Sequence, residues 1–140
     1  MKTCAKSKLA ILVLAAILGV GACNDTAVTP TTPATTDLFF LSQLMMRGVT
    51  SRTFTVVKAG EVKVLFTALL PDSTATVDVA LGTFNGTTCT PTTTINTAAG
   101  SSTAIITTTL AAGDYCLKVS DTGVLTKTND FSITITIPHS

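Results

Sequence analysis

Hydrophobic and polar residues alternate most strictly near the C-terminus. There Phe131-Ser132-Ile133-Thr134-Ile135-Thr136-Ile137 puts Phe and Ile on one side and Ser and Thr on the other. A period of two is what a strand with one buried and one wet face requires. Shorter runs of the same kind recur upstream, broken by turn residues. Leu38 to Met45 predicts a first strand. Thr53 to Val57 and Val62 to Thr67 flank Ala59-Gly60 and predict a hairpin. Val77 to Leu81 predicts a strand that ends before Asn85-Gly86, and Asn85 to Gly100 reads as a long loop. Thr103 to Leu110 reads as a Thr/Ile strand that turns at Ala112-Gly113 into Asp114-Tyr115-Cys116-Leu117-Lys118-Val119. The runs fall at sandwich-like spacing. The expected fold is therefore all-β, an antiparallel β-sandwich of about seven to eight strands occupying residues 37–140, with no helical periodicity beyond the first 22 residues.

Those first residues follow a different pattern. A basic head with Lys2, Lys6 and Lys8 precedes an uncharged apolar run from Leu9 to Val20 and then Gly21-Ala22-Cys23. This is the three-part pattern of a helical secretory signal peptide. Twelve apolar residues span only about 18 Å as a helix, against about 30 Å of hydrocarbon, so a permanent transmembrane anchor is not expected. Val20-Gly21-Ala22-Cys23 resembles the bacterial lipobox. That resemblance implies cleavage between Ala22 and Cys23 and a diacylglyceryl group on the Cys23 thiol, which would become the first residue of the mature chain. Several acyl chains, at about 0.8 kcal/mol per buried methylene, anchor a protein stably to a bilayer. Asn24 follows the cysteine, where an Asp would argue for retention at the inner membrane, so the outer membrane is the expected address.

Composition changes the picture once the signal is set aside. The chain has 140 residues, 46% hydrophobic and 12% charged, with no Trp, one Tyr and one His. Its formal charge is +1, but the signal carries three of the nine basic residues and none of the eight acidic ones, leaving a mature charge of −2. Nucleic acid and attraction to anionic lipid are both poor expectations. Roughly one residue in five is Thr, about three times the ordinary share. Part of that excess lies in residues 23–36, which carry Pro30 and Pro33 and have little to bury. This stretch reads as an extended linker reaching about 30 to 40 Å at about 3.1 Å per residue, and its threonines are conceivable glycosylation sites. The remaining threonines suit the wet faces of strands, where β-branching and a hydroxyl both fit.

Lys58-Ala59-Gly60-Glu61-Val62-Lys63-Val64, Val77-Asp78-Val79-Ala80-Leu81, Leu110 to Val119 with its Gly113-Asp114-Tyr115 core, and the Phe131 to Ile137 strand recur in the order seen in another family. Together they resemble the bacterial pre-peptidase C-terminal (PPC) domain across roughly Thr50 to Pro138. The resemblance implies a jelly-roll-like β-sandwich. Members of that family are usually appended to secreted enzymes, for which this chain has no room. The acidic pair often found before the third motif is reduced here to Asp78.

The candidate chemistry is sparse. With Cys4 in the signal and Cys23 as the lipid site, Cys89 and Cys116 remain, and in an oxidising envelope they predict a disulfide. A redox-active or metal-binding pair is the alternative. Asp72, Asp78, Asp114, Asp121 and Asp130 sit mostly at turns and strand starts, where aspartate is a turn former; calcium is the competing reading, without a dedicated calcium loop. His139 lies one residue from the C-terminus and is expected to be exposed and idle. No nucleophile-elbow, phosphate-loop or zinc-protease motif occurs, so an enzyme is not expected and no catalytic or metal residue is assigned.

The expected function is a lipid-anchored envelope protein displaying a small non-catalytic sandwich for binding or adhesion, to an envelope or extracellular protein or a glycan. With few aromatic side chains free to form a platform, protein recognition is the better supported of the two. Two alternatives stand beside it. One is a self-associating subunit of a surface layer or filament, through strand addition at the apolar run Leu38-Phe39-Phe40-Leu41 and Leu44-Met45-Met46. The other is an accessory subunit of an envelope complex.

Overall fold

Alternation along the chain becomes a core by placing every second side chain between two sheets. The computed structural model of the protein describes residues 31–139. Among these there are eight strands and no helix: β1 (Thr35–Leu44), β2 (Val49–Val56), β3 (Gly60–Leu70), β4 (Val77–Phe84), β5 (Cys89–Thr97), β6 (Ile106–Leu110), β7 (Gly113–Ser120) and β8 (Asn129–Pro138). Sheet A has the order β1-β8-β3-β6 and sheet B the order β2-β7-β4-β5, with antiparallel pairing throughout. That order is a jelly roll, an eight-stranded double sheet built from two Greek keys. Strand β1 takes in Thr35 and Thr36, the last two residues assigned by sequence to the linker.

The core lies between the sheets. Phe131, Ile133, Ile135 and Ile137 of β8 are buried, as the alternation predicts, against Phe54, Val56, Val79, Leu81, Leu117 and Val119 of sheet B. Burying each such side chain contributes about 1.5 to 3 kcal/mol. Phe40 meets Phe131 edge to face, with ring centroids 4.9 Å apart. The threonines of β8 occupy the opposite face at positions 134 and 136.

Two sequence expectations are corrected. Strands β2 and β3 do not form a hairpin: β2 pairs with β7 and β3 with β6 and β8, in opposite sheets. The tight two-residue hairpin favours positive φ in its turn, and Val57, Lys58 and Ala59 supply none. The chain therefore arches from one sheet to the other, so that Phe54 and Val56 face Val62 and Val64 across the core. The hairpin in this fold is β4-β5, where Gly86 has φ 96° and the Asn85 side chain accepts from the backbone N–H of Thr87 at 3.0 Å and Thr88 at 2.7 Å. The second correction follows from it. The segment read as a loop from Asn85 to Gly100 is a turn followed by strand β5. Its Thr-rich sequence lacks apolar alternation because it lies at a sheet edge, where Pro91 is also tolerated.

One end of the sandwich is fastened by a carboxylate. Asp121 Oδ1 accepts the N–H groups of Gly123 at 3.1 Å, Val124 at 2.9 Å and Leu125 at 3.2 Å, while Oδ2 accepts that of Arg47 at 2.8 Å. The β7-β8 loop and the β1-β2 turn are thereby closed on one side chain that is only 6% exposed. Burial pushes this carboxyl up, and the N–H donors of Arg47, Val124, Leu125 and Gly123 outweigh it, so it lies below its ordinary value of 3.8. A second joint holds the same end. The Asp72 N–H donates to Asn129 Oδ1 at 2.7 Å, and Asn129 Nδ2 donates back to Asp72 Oδ2 at 3.0 Å.

A folded carboxyl with a depressed pKa stabilises the fold fully above its unfolded value, and that contribution disappears as pH falls through the folded value. Asp121→Asn is expected to cost about 1 to 3 kcal/mol at neutral pH by leaving backbone donors poorly paired. Urea denaturation between pH 7 and pH 2 should show the wild type losing more stability than the variant below about pH 4.

Candidate functional site

The two outer faces of the sandwich differ in kind. Sheet B presents Ser51, Thr53, Thr55, Thr94, Asn96 and Ser120, a mainly wet surface with Val49 exposed at one end. Sheet A presents apolar side chains in rows. Register aligns Asp37, Thr136 and Lys63 in one row and Phe39, Thr134 and Leu65 in the next. Leu41, Ser132 and Ala68 follow, and then Gln43, Asp130 and Leu70. Phe39, Leu41 and Leu70 are 59%, 68% and 56% exposed. The small hydroxyl residues of β8 run between the larger side chains of β1 and β3 as a furrow. At one end it deepens into a hollow of about 370 Å³ lined by Leu41, Ala68, Leu70 and Ser132.

This face exists because β3 slips by one residue. The ladder with β8 passes from Phe66-Ile133 to Ala68-Ser132, leaving Thr67 unpaired in a bulge. Phe66 and Leu69, three residues apart, then both point inward, and Leu70 turns outward. A single extra residue reverses which face the following side chains occupy. Of the apolar residues here, the sequence singled out Phe39 and Leu41. Leu65, Ala68 and Leu70 were missed, and the broken alternation of Leu65-Phe66-Thr67-Ala68-Leu69-Leu70 is the signal that marks them.

The apolar first strand lies at the edge of sheet A, yet its edge is partly occupied. Arg52 donates its guanidinium to the Phe39 carbonyl, and the Thr50 hydroxyl donates to the Gln43 carbonyl at 2.9 Å. Both donors come from β2, the neighbouring edge of sheet B. Side chains that cover edge carbonyls oppose addition of another strand.

The other sequence-derived residues are dispersed. Ala22, Cys23, the signal 1–22 and the linker as far as residue 30 lie outside the described residues. Cys89 and Cys116 form a disulfide. Asp78 accepts from Asn96 at 2.7 Å and Asp114 from Thr55 at 2.6 Å. Asp72 is held by Asn129, whose amide keeps its carboxyl below the ordinary value. Asp130 is exposed on sheet A. His139 is exposed; its Nδ1 lies 2.9 Å from the Thr36 hydroxyl, and its backbone N–H donates to the Ala34 carbonyl at 2.8 Å. Among the described residues no three His, Cys, Asp or Glu side chains gather where they could hold a metal. A second hollow opens beside Lys58, Gly60, Glu61, Thr136 and His139, where Lys63 and Glu61 are paired at 2.9 Å.

The disulfide has an unusual path. Cys116 pairs with Gly82 of β4, and Cys89 pairs with Phe84 on the other side of the same strand. Strands two apart in a flat sheet lie about 9.5 Å from each other, yet these Cα atoms are 5.8 Å apart. Strand β5 closes the gap by leaning over β4, helped by the bulge that leaves Thr92 unpaired. A Cβ on Gly82 would overlap the Thr90 carbonyl and come within 2.8 Å of Pro91 Cα. Glycine is what lets one backbone pass over another here. Gly82→Ala is expected to cost about 1 to 3 kcal/mol and to leave measurable free thiol. Replacing both cysteines by Ser should cost about 3.5 kcal/mol in the chain-entropy account. Thermal unfolding with thiol titration checks both.

No family model matches the chain, and no curated protein does. Several solved structures align with the chain, two of them as follows. A subunit of the disulfide-linked pili that form Bacillus endospore appendages aligns at 18% identity with a TM-score of 0.42, over 78% of this chain and 90% of its own. The Yersinia pseudotuberculosis-derived mitogen aligns at 11% identity with a TM-score of 0.51, over 78% of this chain and 90% of its own. At that identity the likeness to the mitogen is one of fold alone.

Proposed function

We propose that the protein is a lipid-anchored component of the bacterial cell envelope that displays a non-catalytic, PPC-like β-sandwich, with the outer face of sheet A as its binding surface. The observation that carries this reading is the contrast between the two faces. Sheet B is clothed mainly in hydroxyls, amides and charges, with Val49 exposed at one end, whereas Phe39, Leu41 and Leu70 are all left largely exposed on sheet A. Apolar residues grouped on one face, beside charged and hydroxyl rows, are the mark of a surface that meets another macromolecule. The lipobox-like Val20-Gly21-Ala22-Cys23 supports the anchor, and the Pro/Thr linker supports a domain held clear of the lipid. A non-catalytic role is supported by the dispersal of the carboxylates, each taken up by local partners or alone.

Two readouts test the reading. Mass spectrometry of membrane-extracted protein is expected to find acyl groups on an N-terminal Cys23, and Cys23→Ala should move the protein from the membrane pellet to the soluble fraction. An unmodified Cys23 removes the anchor from the reading. Leu41→Asp, at a site exposed enough to leave the fold intact, should lose whatever associations the wild type retains in cross-linked envelopes. Unchanged associations would remove the binding face.

A further inference from the structure

We infer that the face of sheet A is covered by a second copy of this chain, paired about a two-fold axis that runs parallel to the strands between β8 and β3. This rests on the binding-face reading above and names its partner. A two-fold interface must be complementary to itself, each patch meeting its own counterpart. The rows of sheet A meet that demand in both shape and charge. With the axis between β8 and β3, strand β3 of each copy lies over β8 of the other, so that Leu65 enters the furrow above Thr134 and Ala68 lies above Ser132, beside the ridge formed by Phe39 and Leu41, while Leu70 covers the last row. Sheets stacked face to face lie about 10 Å apart, a gap that side chains of this size fill by interdigitation.

The charges agree with the same axis. Lys63 and Asp37 occupy one row, on strands either side of β8, and both are exposed. Placing β3 over β8 sets Lys63 above Thr136, whose hydroxyl already donates to Asp37 at 2.6 Å. Lys63 of each copy thus reaches Asp37 of the other, and the two-fold makes the contact twice. Glu61, which pairs with Lys63 within its own chain, falls one step further along, over Pro138. Asp130 stands in the last row beside Gln43, at the open end of the face, where Leu70 of the other copy lies over it. An axis along the strands also leaves the Thr35 ends of both domains on the same side, as two copies rooted in one bilayer require. Strand addition at β1 is not needed for this pairing, and Arg52 and Thr50 obstruct it.

The test uses the full chain, extracted in detergent for light scattering corrected for bound detergent and cross-linked in its own membranes. The wild type is expected to be a dimer. Leu41→Asp and Leu70→Asp should be monomers that keep the Cys89–Cys116 bond and the native circular dichroism spectrum. Lys63→Asp and Asp37→Lys should each weaken pairing about tenfold, and the double exchange should restore it. Thr134→Cys, near the axis, should be joined to its counterpart by a short bismaleimide, and Thr94→Cys on sheet B should not. A wild type that stays monomeric, a dimer indifferent to Leu41→Asp, or a charge exchange that fails to rescue would each overturn the pairing. A monomeric wild type whose Leu41→Asp variant still loses a cross-linked partner would overturn the second copy while leaving the binding face in place.

Discussion

Strand β8 holds β1 on one side and β3 on the other, and its four apolar side chains reach into the space between the sheets. It is the last of the described strands, so β1 cannot be fixed in place until β8 has formed. The ladder from Thr35-Pro138 to Leu44-Asn129 joins residues about a hundred positions apart. Non-local pairing of this kind makes folding slow relative to helical proteins, because loop-closure entropy is spent before the contacts form. Fixing β8 also fixes the outward rows of sheet A, since each Ser or Thr facing outward is locked to an Ile or Phe facing inward.

The disulfide and the carboxylate joints serve the same arrangement from its periphery. Strand β5 lies at the edge of sheet B and buries little apolar surface, so packing alone holds it weakly. The Cys89–Cys116 bond ties it past its neighbour to β7. Asp121 does comparable work for the loop between β7 and β8, which has only Leu125 to bury among its first residues and depends on hydrogen bonds instead. Each device stands where hydrophobic burial is thin.

Much of this was legible in the sequence, and the failures have physical causes. Period-two alternation identified β8, β7, β4 and the body of β1, because each has one face on the core. It could not identify β5, whose edge position imposes no apolar pattern, or choose between a hairpin and an arch after β2, because both connect two half-buried strands by a short link. The Cys89–Cys116 pairing followed from elimination and compartment, while the passage over Gly82 that makes it reachable lay in tertiary structure. The apolar face of sheet A was half visible, in Phe39 and Leu41. Its other half depended on the bulge at Thr67, which shifts inside and outside by one position.

The long ladder between β1 and β8 also has a mechanical meaning. Hydrogen bonds in an antiparallel pair stand perpendicular to the strands. A pull applied to the chain ahead of Thr35 and directed along β1 acts across all ten residues of that strand together, in shear, instead of opening them singly from one end. The Arg52 and Thr50 contacts on the outer side of β1 add to the same resistance. The fold thus meets a pull that arrives through the chain ahead of Thr35 with a ten-residue ladder loaded in shear.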